Sequence, residues 1–305
     1  MRRFLSRVLP LLLSFGLIFN FEGCSTVLVL AGKARENSEA SSSVISESSA
    51  SSGVISTPVP TEDGDLRAFY TDVANAESVT VMVYMIGSDL ESEDGSATDD
   101  LLEMADAALS ENVHLVLQTG GTETWWNDVC TDDESERFVI ENGDMTLLQS
   151  LGSMNMTDAD TLSDFIRFSA ESYPADRYEL ILWDHGGGTM TGFGYDELYE
   201  DTSLTLSSLS TALYNGGVQF DFIGFDACLM ATAEVAYALD PYADYLIASE
   251  ESEPGEGWAY KNWLTMLAED PAVPTAELGK KLADDFLEAY IFADMPTLSV
   301  LDLRW

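Results

Sequence analysis

The sequence contains few of the residues that enzymes most often use for chemistry. Only three cysteines (Cys24, Cys130 and Cys228) and two histidines (His114 and His185) occur in 305 residues. This composition excludes a small disulfide-stapled fold, and the absence of HExxH-type spacing leaves no familiar zinc site. Any reaction that needs a thiol or an imidazole therefore has very few candidate residues.

Basic residues are also scarce. Thirteen Lys and Arg stand against 54 Asp and Glu, which gives a formal net charge of −41. A surface with this charge repels nucleic-acid phosphates and anionic membranes, and it favours cationic ligands such as basic peptides. Binding to nucleic acid is therefore excluded as a function, and basic peptide or protein substrates are the expected partners.

No apolar run in the sequence reaches the length of a typical transmembrane helix. The longest, Val8–Phe21, has about 14 residues, whereas a transmembrane helix needs roughly 20. Arg2, Arg3 and Arg7 precede this run, and no acidic residue occurs before Glu22. This pattern predicts a signal peptide at residues 1–23 and a protein that leaves the cytoplasm.

The residues after the apolar run indicate how the chain is anchored. The segment FEGC at residues 21–24 resembles a bacterial lipobox, which predicts a lipid-modified N-terminus at Cys24. Because the first two residues differ from the usual Leu and small residue, ordinary cleavage and an uncleaved anchor remain alternatives. Half of residues 37–56 are serine, so residues 24–66 are expected to form a flexible tether. The tether would hold a domain at the cell surface, attached to the membrane only through the lipid.

Residues 67–305 carry the pattern of a folded domain in which strands alternate with helices. The predicted strands are Val79–Ile86, Val113–Gln118, Tyr178–Trp183, Phe220–Phe225, Tyr245–Ala248 and Leu298–Leu303. The predicted helices are Thr98–Leu109, Leu162–Phe168, Leu204–Tyr214, Leu229–Leu239, Trp258–Leu267 and Thr275–Ile291. Such alternation predicts an α/β fold with a mostly parallel sheet and helices on both faces. Trp125–Leu151 interrupts the rhythm and is expected to form a small β excursion.

Two segments place reactive side chains at the carboxyl ends of strands, where open α/β sheets bind ligands. The segment ILWDHGGG (residues 181–188) ends a strand at His185, and FIGFDACLM (residues 222–230) ends another at Cys228. A thiol becomes nucleophilic beside an imidazole, and the start of a helix after Cys228 would assist. Each residue alone would more often be structural, but their joint position at one edge of the sheet predicts a catalytic pair.

The motifs together resemble the clostripain-like cysteine peptidases, which share the caspase and gingipain type of fold. The resemblance rests on WDHGGG (residues 183–188), FDACLMATAEVAY (225–237) and SEESEPGEGW (249–258), and it extends from about Val79 to the C-terminus. It implies a three-layer caspase-like sandwich and an endopeptidase that cleaves after Arg or Lys. It also implies chemistry that requires no cofactor.

The resemblance assigns roles to individual residues. It implies that Cys228 is the nucleophile, that His185 is the general base and acid, and that the N–H groups of Gly186 and Cys228 form the oxyanion hole. Asp226 and Glu256 would form the pocket for the basic side chain of the substrate. Among the remaining candidates, His114 and Cys130 are interpreted as structural.

Three further features of the sequence concern activation, calcium binding and the C-terminus. Relatives are often activated by self-cleavage between the histidine and cysteine motifs, yet residues 186–227 contain no Lys or Arg. The acidic runs Asp89–Asp100 and Asp128–Glu136 could bind Ca²⁺, but neither matches an EF-hand loop, and solvated surface is the preferred interpretation. The chain stops at Trp305, where the resembling proteins continue, which predicts an incomplete C-terminal portion.

The alternative function is a non-catalytic lipoprotein that binds peptides or partners at the cell surface.

Overall fold

The fold is built on one sheet with helices on its two faces. The computed structural model of the chain describes residues 70–199, 202–290 and 296–304. The strands are β1 (Val79–Ile86), β2 (Val113–Gly120), β3 (Ser135–Glu141), β4 (Asp144–Gly152), β5 (Arg177–Trp183), β6 (Phe220–Asp226), β7 (Ala243–Ala248) and β8 (Ser299–Asp302). The helices are α1 (Ser88–Ser92), α2 (Ser96–Ala105), α3 (Ala159–Ser172), α4 (Gly188–Thr191), α5 (Leu206–Gly216), α6 (Ala233–Leu239), α7 (Tyr260–Glu269) and α8 (Thr275–Ala289). The predicted signal peptide, Cys24 and the tether lie outside the described residues.

The sheet is mostly parallel, as the alternation of strands and helices predicts. Its order is β4-β3-β2-β1-β5-β6-β7-β8. The central pairs β1–β2, β1–β5, β5–β6 and β6–β7 are parallel, whereas the pairs β2–β3, β3–β4 and β7–β8 towards the two edges are antiparallel. The predicted β excursion is the β3–β4 hairpin, which extends the main sheet.

Helices cover both faces of the sheet because the central strands are apolar on both faces. All eight residues of β1 are buried. Val81 and Val83 belong to a core cluster that also contains residues of α7 and α8. Met82 and Tyr84 point the other way and belong to a second cluster with residues of α3 and α5. The result is a three-layer α/β sandwich in which β1, β5 and β6 form the middle.

The structure differs from the sequence prediction mainly in the connections. The helix predicted from Leu229 begins instead at Ala233, and the short helices α1 and α4 were not predicted. Helix α1 follows the carboxyl end of β1, and α4 follows the loop that leaves β5. Among the described residues, no helix combines the length and apolar character needed to cross a bilayer. The carboxyl edge of β1, β5 and β6 is where the predicted reactive residues lie.

Candidate active site

His185 lies just beyond the end of β5, at the centre of the sheet. The apolar strand is buried up to Trp183, and the chain then leaves the sheet through Asp184. The His185 side chain is 42% exposed, and its Nε2 atom lies 2.6 Å from Oδ1 of Asp89. Asp89 belongs to α1, which follows the neighbouring strand β1.

Cys228 lies just beyond the end of β6, which is the strand next to β5. The sequence prediction that a helix starts directly after Cys228 is wrong. Leu229 adopts a left-handed backbone conformation (φ 64°), and the N–H of Leu229 and of Ala231 donate to the carbonyls of Glu251 and Ser249. These bonds hold the segment beside the exit of β7, so the helix starts only after Thr232, whose side chain caps it.

The exits of β5 and β6 bring His185 and Cys228 to one cavity. The strands pair in parallel with Trp183 opposite Asp226, and the N–H of Asp184 donates to the Asp226 carbonyl at 3.2 Å. The cavity has a volume of about 190 Å³. It is lined by Leu90, Trp183, Asp184, His185, Asp226, Ala227, Cys228, Glu253, Pro254, Gly255 and Gly257.

The expected oxyanion-hole donors lie close together beside this cavity. A methyl group placed on Gly186 would come within 2.0 Å of the Cys228 carbonyl oxygen, so the two backbones are in tight contact. In the described part of the chain, neither the N–H of Gly186 nor that of Cys228 donates a hydrogen bond. Both groups are therefore free to donate to a substrate oxygen.

The loop after β7 contacts the Cys228 sulfur. The N–H of Glu253 donates to Sγ at 3.2 Å, and Sγ lies 3.9 Å from the Glu253 carbonyl oxygen. A backbone donor at this position stabilises negative charge on sulfur. The loop thus contributes to the environment of the thiol as well as to the wall of the cavity.

Asp226 forms part of a buried group of carboxyls under the cavity. Its side chain is 4% exposed, and its Oδ2 accepts hydrogen bonds from the Trp258 N–H at 3.0 Å and the Tyr260 hydroxyl at 2.8 Å. Burial raises the pKa of Asp226 to about 6 despite these donors. Asp100 lies nearby, accepts from Nε1 of Trp183 at 2.6 Å, and has a pKa well above its usual range because of burial and then the charge of Asp226.

The second predicted acid, Glu256, is not brought to the cavity. Its side chain is exposed, whereas Glu253 from the same loop lines the cavity. Burial, followed by the charge of Asp226, raises the pKa of Glu253 well above its usual range. The loop takes this course because Gly257 (φ 67°) packs against the carboxyls of Asp100 and Asp226, where a methyl group would lie 2.8 and 2.9 Å from their oxygens. The residue that turns inward is therefore Glu253.

Two further residues at the candidate site were not assigned from the sequence. Asp184 is buried and lines the cavity. It accepts from the Tyr195 N–H, and burial raises its pKa to about 7. Asp89 was assigned to a solvated acidic run, yet it contacts His185. Its position directly after β1, at the same edge of the sheet, was the signal that could have identified it.

The acidic runs have a structural role that the interpretation as solvated surface did not include. Glu91 is fully buried and accepts hydrogen bonds from Thr98 and from the Trp126 N–H. Glu136 is also buried, and it accepts from the N–H and the hydroxyl of Thr131. No group of three or more His, Cys, Asp or Glu side chains that could hold a metal ion occurs in the described ranges.

His114 and Cys130 lie in structural environments. The His114 ring packs against the Tyr173 ring with their centroids 5.3 Å apart. His114 lies near the amino end of β2, away from the carboxyl edge where the cavity lies. Cys130 is a buried free thiol, and burial raises its pKa to about 12. Neither residue lines the cavity.

Comparison with known proteins identifies the family. Residues 83–304, which contain both rim segments, match the model of the clostripain family. Clostripain from Hathewaya histolytica is 35% identical over 123 residues, which cover 35% of this chain and 23% of that protein.

Two solved structures share the fold. A secreted C11 cysteine protease from Bacteroides thetaiotaomicron, in complex with an irreversible peptide inhibitor, has a TM-score of 0.61 at 22% identity, covering 74% of this chain and 66% of that one. An inactive zymogen C11 protease from Parabacteroides distasonis has a TM-score of 0.57 at 27% identity, covering 74% and 62%. This chain thus spans 66% or less of the length of each of these relatives. Because the family model matches well over half of its residues, the chain belongs to the clostripain family.

Proposed function

We propose that the chain is an exported cysteine endopeptidase that cleaves after Arg or Lys, with Cys228 as nucleophile and His185 as general base and acid. The observation that carries this proposal is that His185 and Cys228 line one cavity, whose lining also includes the acidic residues Asp226 and Glu253. A nucleophile, a proton carrier and an acidic pocket are the parts that this reaction needs.

The first half of the reaction forms an acyl-enzyme. The Cys228 thiol gives its proton to His185, and the sulfur attacks the scissile carbonyl carbon. The carbonyl oxygen becomes an oxyanion, which accepts from the N–H groups of Gly186 and Cys228. When the tetrahedral species collapses, the C–N bond breaks and His185 gives its proton to the leaving amine.

The second half restores the enzyme. Water enters the place of the amine, and His185 removes a proton from it as it attacks the thioester carbonyl. A second tetrahedral species forms against the same two N–H donors. Its collapse releases the acid product, and the proton on His185 returns to the Cys228 sulfur. No cofactor is needed for either half.

The preference for basic side chains follows from the charge of the cavity wall. Asp226 is buried two residues before Cys228, and Glu253 lines the same cavity, close enough for the charge of Asp226 to act on it. A guanidinium or ammonium group pairs strongly with desolvated carboxylates. Burial raises the pKa of Asp226 and of Glu253, and a bound cation would lower both again.

The location of the enzyme rests on the N-terminal sequence. We propose export by the signal peptide at residues 1–23, lipid attachment at Cys24 and display at the cell surface on the tether. Incorporation of labelled palmitate into the chain, and its loss in Cys24→Ser, would support this anchoring. Equal labelling of both chains, or none of either, would exclude it.

The catalytic assignment is tested by hydrolysis of Arg and Lys reporter peptides. Cys228→Ala and His185→Ala should each lose turnover by at least about 1,000-fold, because residues of a catalytic unit fail together. His114→Gln, which changes the only other histidine, should retain turnover. Retained activity in Cys228→Ala, or loss confined to His114→Gln, would contradict the assignment.

A further inference from the structure

The contact between Asp89 and His185 joins two parts of the active-site rim. Oδ1 of Asp89 lies 2.6 Å from Nε2 of His185. Asp89 follows β1 and His185 follows β5, and these two strands are parallel neighbours with Met85 opposite Trp183. The pair therefore bridges the exits of two adjacent strands.

The backbone before Asp89 is held firmly at the exit of β2. The N–H of Gly87 donates to the Gly120 carbonyl at 2.8 Å, and the N–H of Ser88 donates to the Gly121 carbonyl at 3.1 Å. Ser88 is fully buried and adopts a left-handed conformation (φ 47°), which few residues accept without strain. Such conformations persist only where the surroundings fix them. The carboxyl of Asp89 is thus presented to the imidazole from a defined backbone.

The chemistry of the pair fixes which imidazole nitrogen is free. An ionised carboxylate can only accept hydrogen bonds, so Nε2 must carry the hydrogen that it donates to Asp89. In the neutral ring, Nδ1 is then the unprotonated nitrogen. Because neutral imidazole has a single basic nitrogen, Nδ1 is the atom that can take the thiol proton.

We propose that Asp89 is a positioning residue for His185: it orients the ring and holds the Nε2–H tautomer, so that Nδ1 exchanges the proton with Cys228 and the leaving amine. This inference rests on the peptidase activity proposed above. Asp89 does not line the cavity, although its neighbour Leu90 does. Its removal is therefore expected to lower kcat and leave KM nearly unchanged.

Other polar and charged groups also surround His185. Asp184 lies beside it, and the charge of His185 in turn lowers the pKa of Asp184, although burial dominates and raises it. The Tyr195 ring lies 6.3 Å away, and Cys228 and Glu253 face the same cavity. Asp89 is the group in direct contact, but both members of the pair are about half exposed, so solvent screens their mutual charge. Orientation and tautomer should therefore contribute more than charge.

The kinetic test uses the full chain and three variants. Asp89→Ala should lower kcat at least about 10-fold with KM changed less than about 2-fold. Asp89→Asn keeps a carbonyl acceptor and the shape of the side chain, so it should recover part of that loss. Asp94→Asn removes an exposed carboxylate a few residues away and should retain wild-type kcat. Wild-type kcat in Asp89→Ala, or a loss in KM alone, would overturn the positioning role.

A spectroscopic test is independent of turnover. With ¹⁵N-labelled histidine, the only two imidazoles belong to His114 and His185, and His114→Gln assigns them. The neutral His185 ring should show the Nε2–H tautomer, and Asp89→Ala should show a mixture of tautomers. An Nδ1–H ring in the wild type, or an unchanged tautomer in Asp89→Ala, would overturn the inference. Because this readout needs no substrate, failure of the positioning role is distinguished from failure of the proposed peptidase activity.

Discussion

Gly186 packs directly against the backbone of Cys228: a methyl group on Gly186 would lie 2.0 Å from the Cys228 carbonyl oxygen and 3.1 Å from its nitrogen. Real Cβ atoms do not approach backbone atoms so closely, so any larger residue must push the two rim segments apart. The glycine after His185 therefore sets the separation between the histidine and cysteine segments.

Gly186→Ala should accordingly impair catalysis. The methyl group would displace the Cys228 backbone and one of the two expected oxyanion donors, and loss of one such donor costs on the order of 100- to 1,000-fold in kcat. Gly255→Ala is the matched control, because Gly255 also lines the cavity but a methyl group there would meet only Leu90 at 4.0 Å. Steady-state kinetics of both variants check this. Equal losses in the two would show that tight packing at Gly186 is not the cause.

Acidic residues around the cavity should differ in their effect on specificity. Asp226→Asn and Glu253→Gln should weaken Arg and Lys substrates by about 2 to 5 kcal/mol in kcat/KM, because each leaves a desolvated cation without a partner. Glu256→Gln, in the same loop but exposed, should have little effect. The measurement is kcat/KM for matched Arg, Lys, Gln and Asp peptides. A large loss in Glu256→Gln with none in Glu253→Gln would restore the sequence-based assignment.

The stability of the fold should fall as the pH rises from about 4 to about 8. Burial raises the pKa of Asp226 to about 6, of Asp184 to about 7 and of Glu179 to about 8. The folded state therefore binds these protons more tightly than the unfolded state, and this stabilising difference is lost as each group ionises. Thermal unfolding at constant ionic strength should give a lower Tm at pH 8 than at pH 5, and a rising Tm would contradict this.

Glu179→Gln isolates one part of this pH dependence. Glu179, Arg177 and Asp221 are fully buried together, with Arg177 3.2 Å from Glu179 and 2.7 Å from Asp221. Because one cation faces two carboxylates, the Glu179 carboxyl tends to keep its proton. The Gln amide has no proton to lose, so this contribution to the pH dependence is removed. The variant should flatten the fall of Tm towards pH 8, where about 1 kcal/mol corresponds to about 2–4 °C for a domain of this size. Glu141→Gln, exposed at the end of β3, should leave the slope unchanged.

The chain should remain intact between its histidine and cysteine segments. Residues 186–227 contain no Lys or Arg, so an enzyme with the proposed specificity has no site to cut there. N-terminal sequencing and intact mass of an aged, active sample should find no new terminus in this interval. A new terminus in residues 186–227 would mean that either the proposed specificity for Arg and Lys or the expected absence of cleavage there is wrong.

The central strands, and the location of His185 and Cys228 at one edge of the sheet, could be predicted from sequence because their signals are local. The run VTVMVYMI predicts β1 over the residues that form it, Val79–Ile86. The positions of His185 and Cys228 follow from the rule that parallel strands share a carboxyl edge. Both predictions need only periodicity and chain order.

The parts that could not be predicted depend on contacts between distant loops. The segment after Cys228 has a helical composition, but its pairing with residues 249–251 delays the helix to Ala233. The inward turn of Glu253 depends on the left-handed backbone of Gly257. The contact of Asp89 with His185 joins residues 96 positions apart; their positions after parallel strands place both at one edge of the sheet, but do not specify that the two side chains touch.

The most direct test of the central claim is covalent labelling of the full chain with an arginyl acyloxymethyl ketone, read by intact mass and peptide mapping. We expect one adduct, on Cys228, with none on buried Cys130 and none in Cys228→Ala; labelling should be greatly slowed in His185→Ala. The matched aspartyl reagent should label the wild type far more slowly than the arginyl one. No adduct on Cys228, or an adduct that forms equally fast without His185, would contradict the account and favour a peptide-binding protein without turnover.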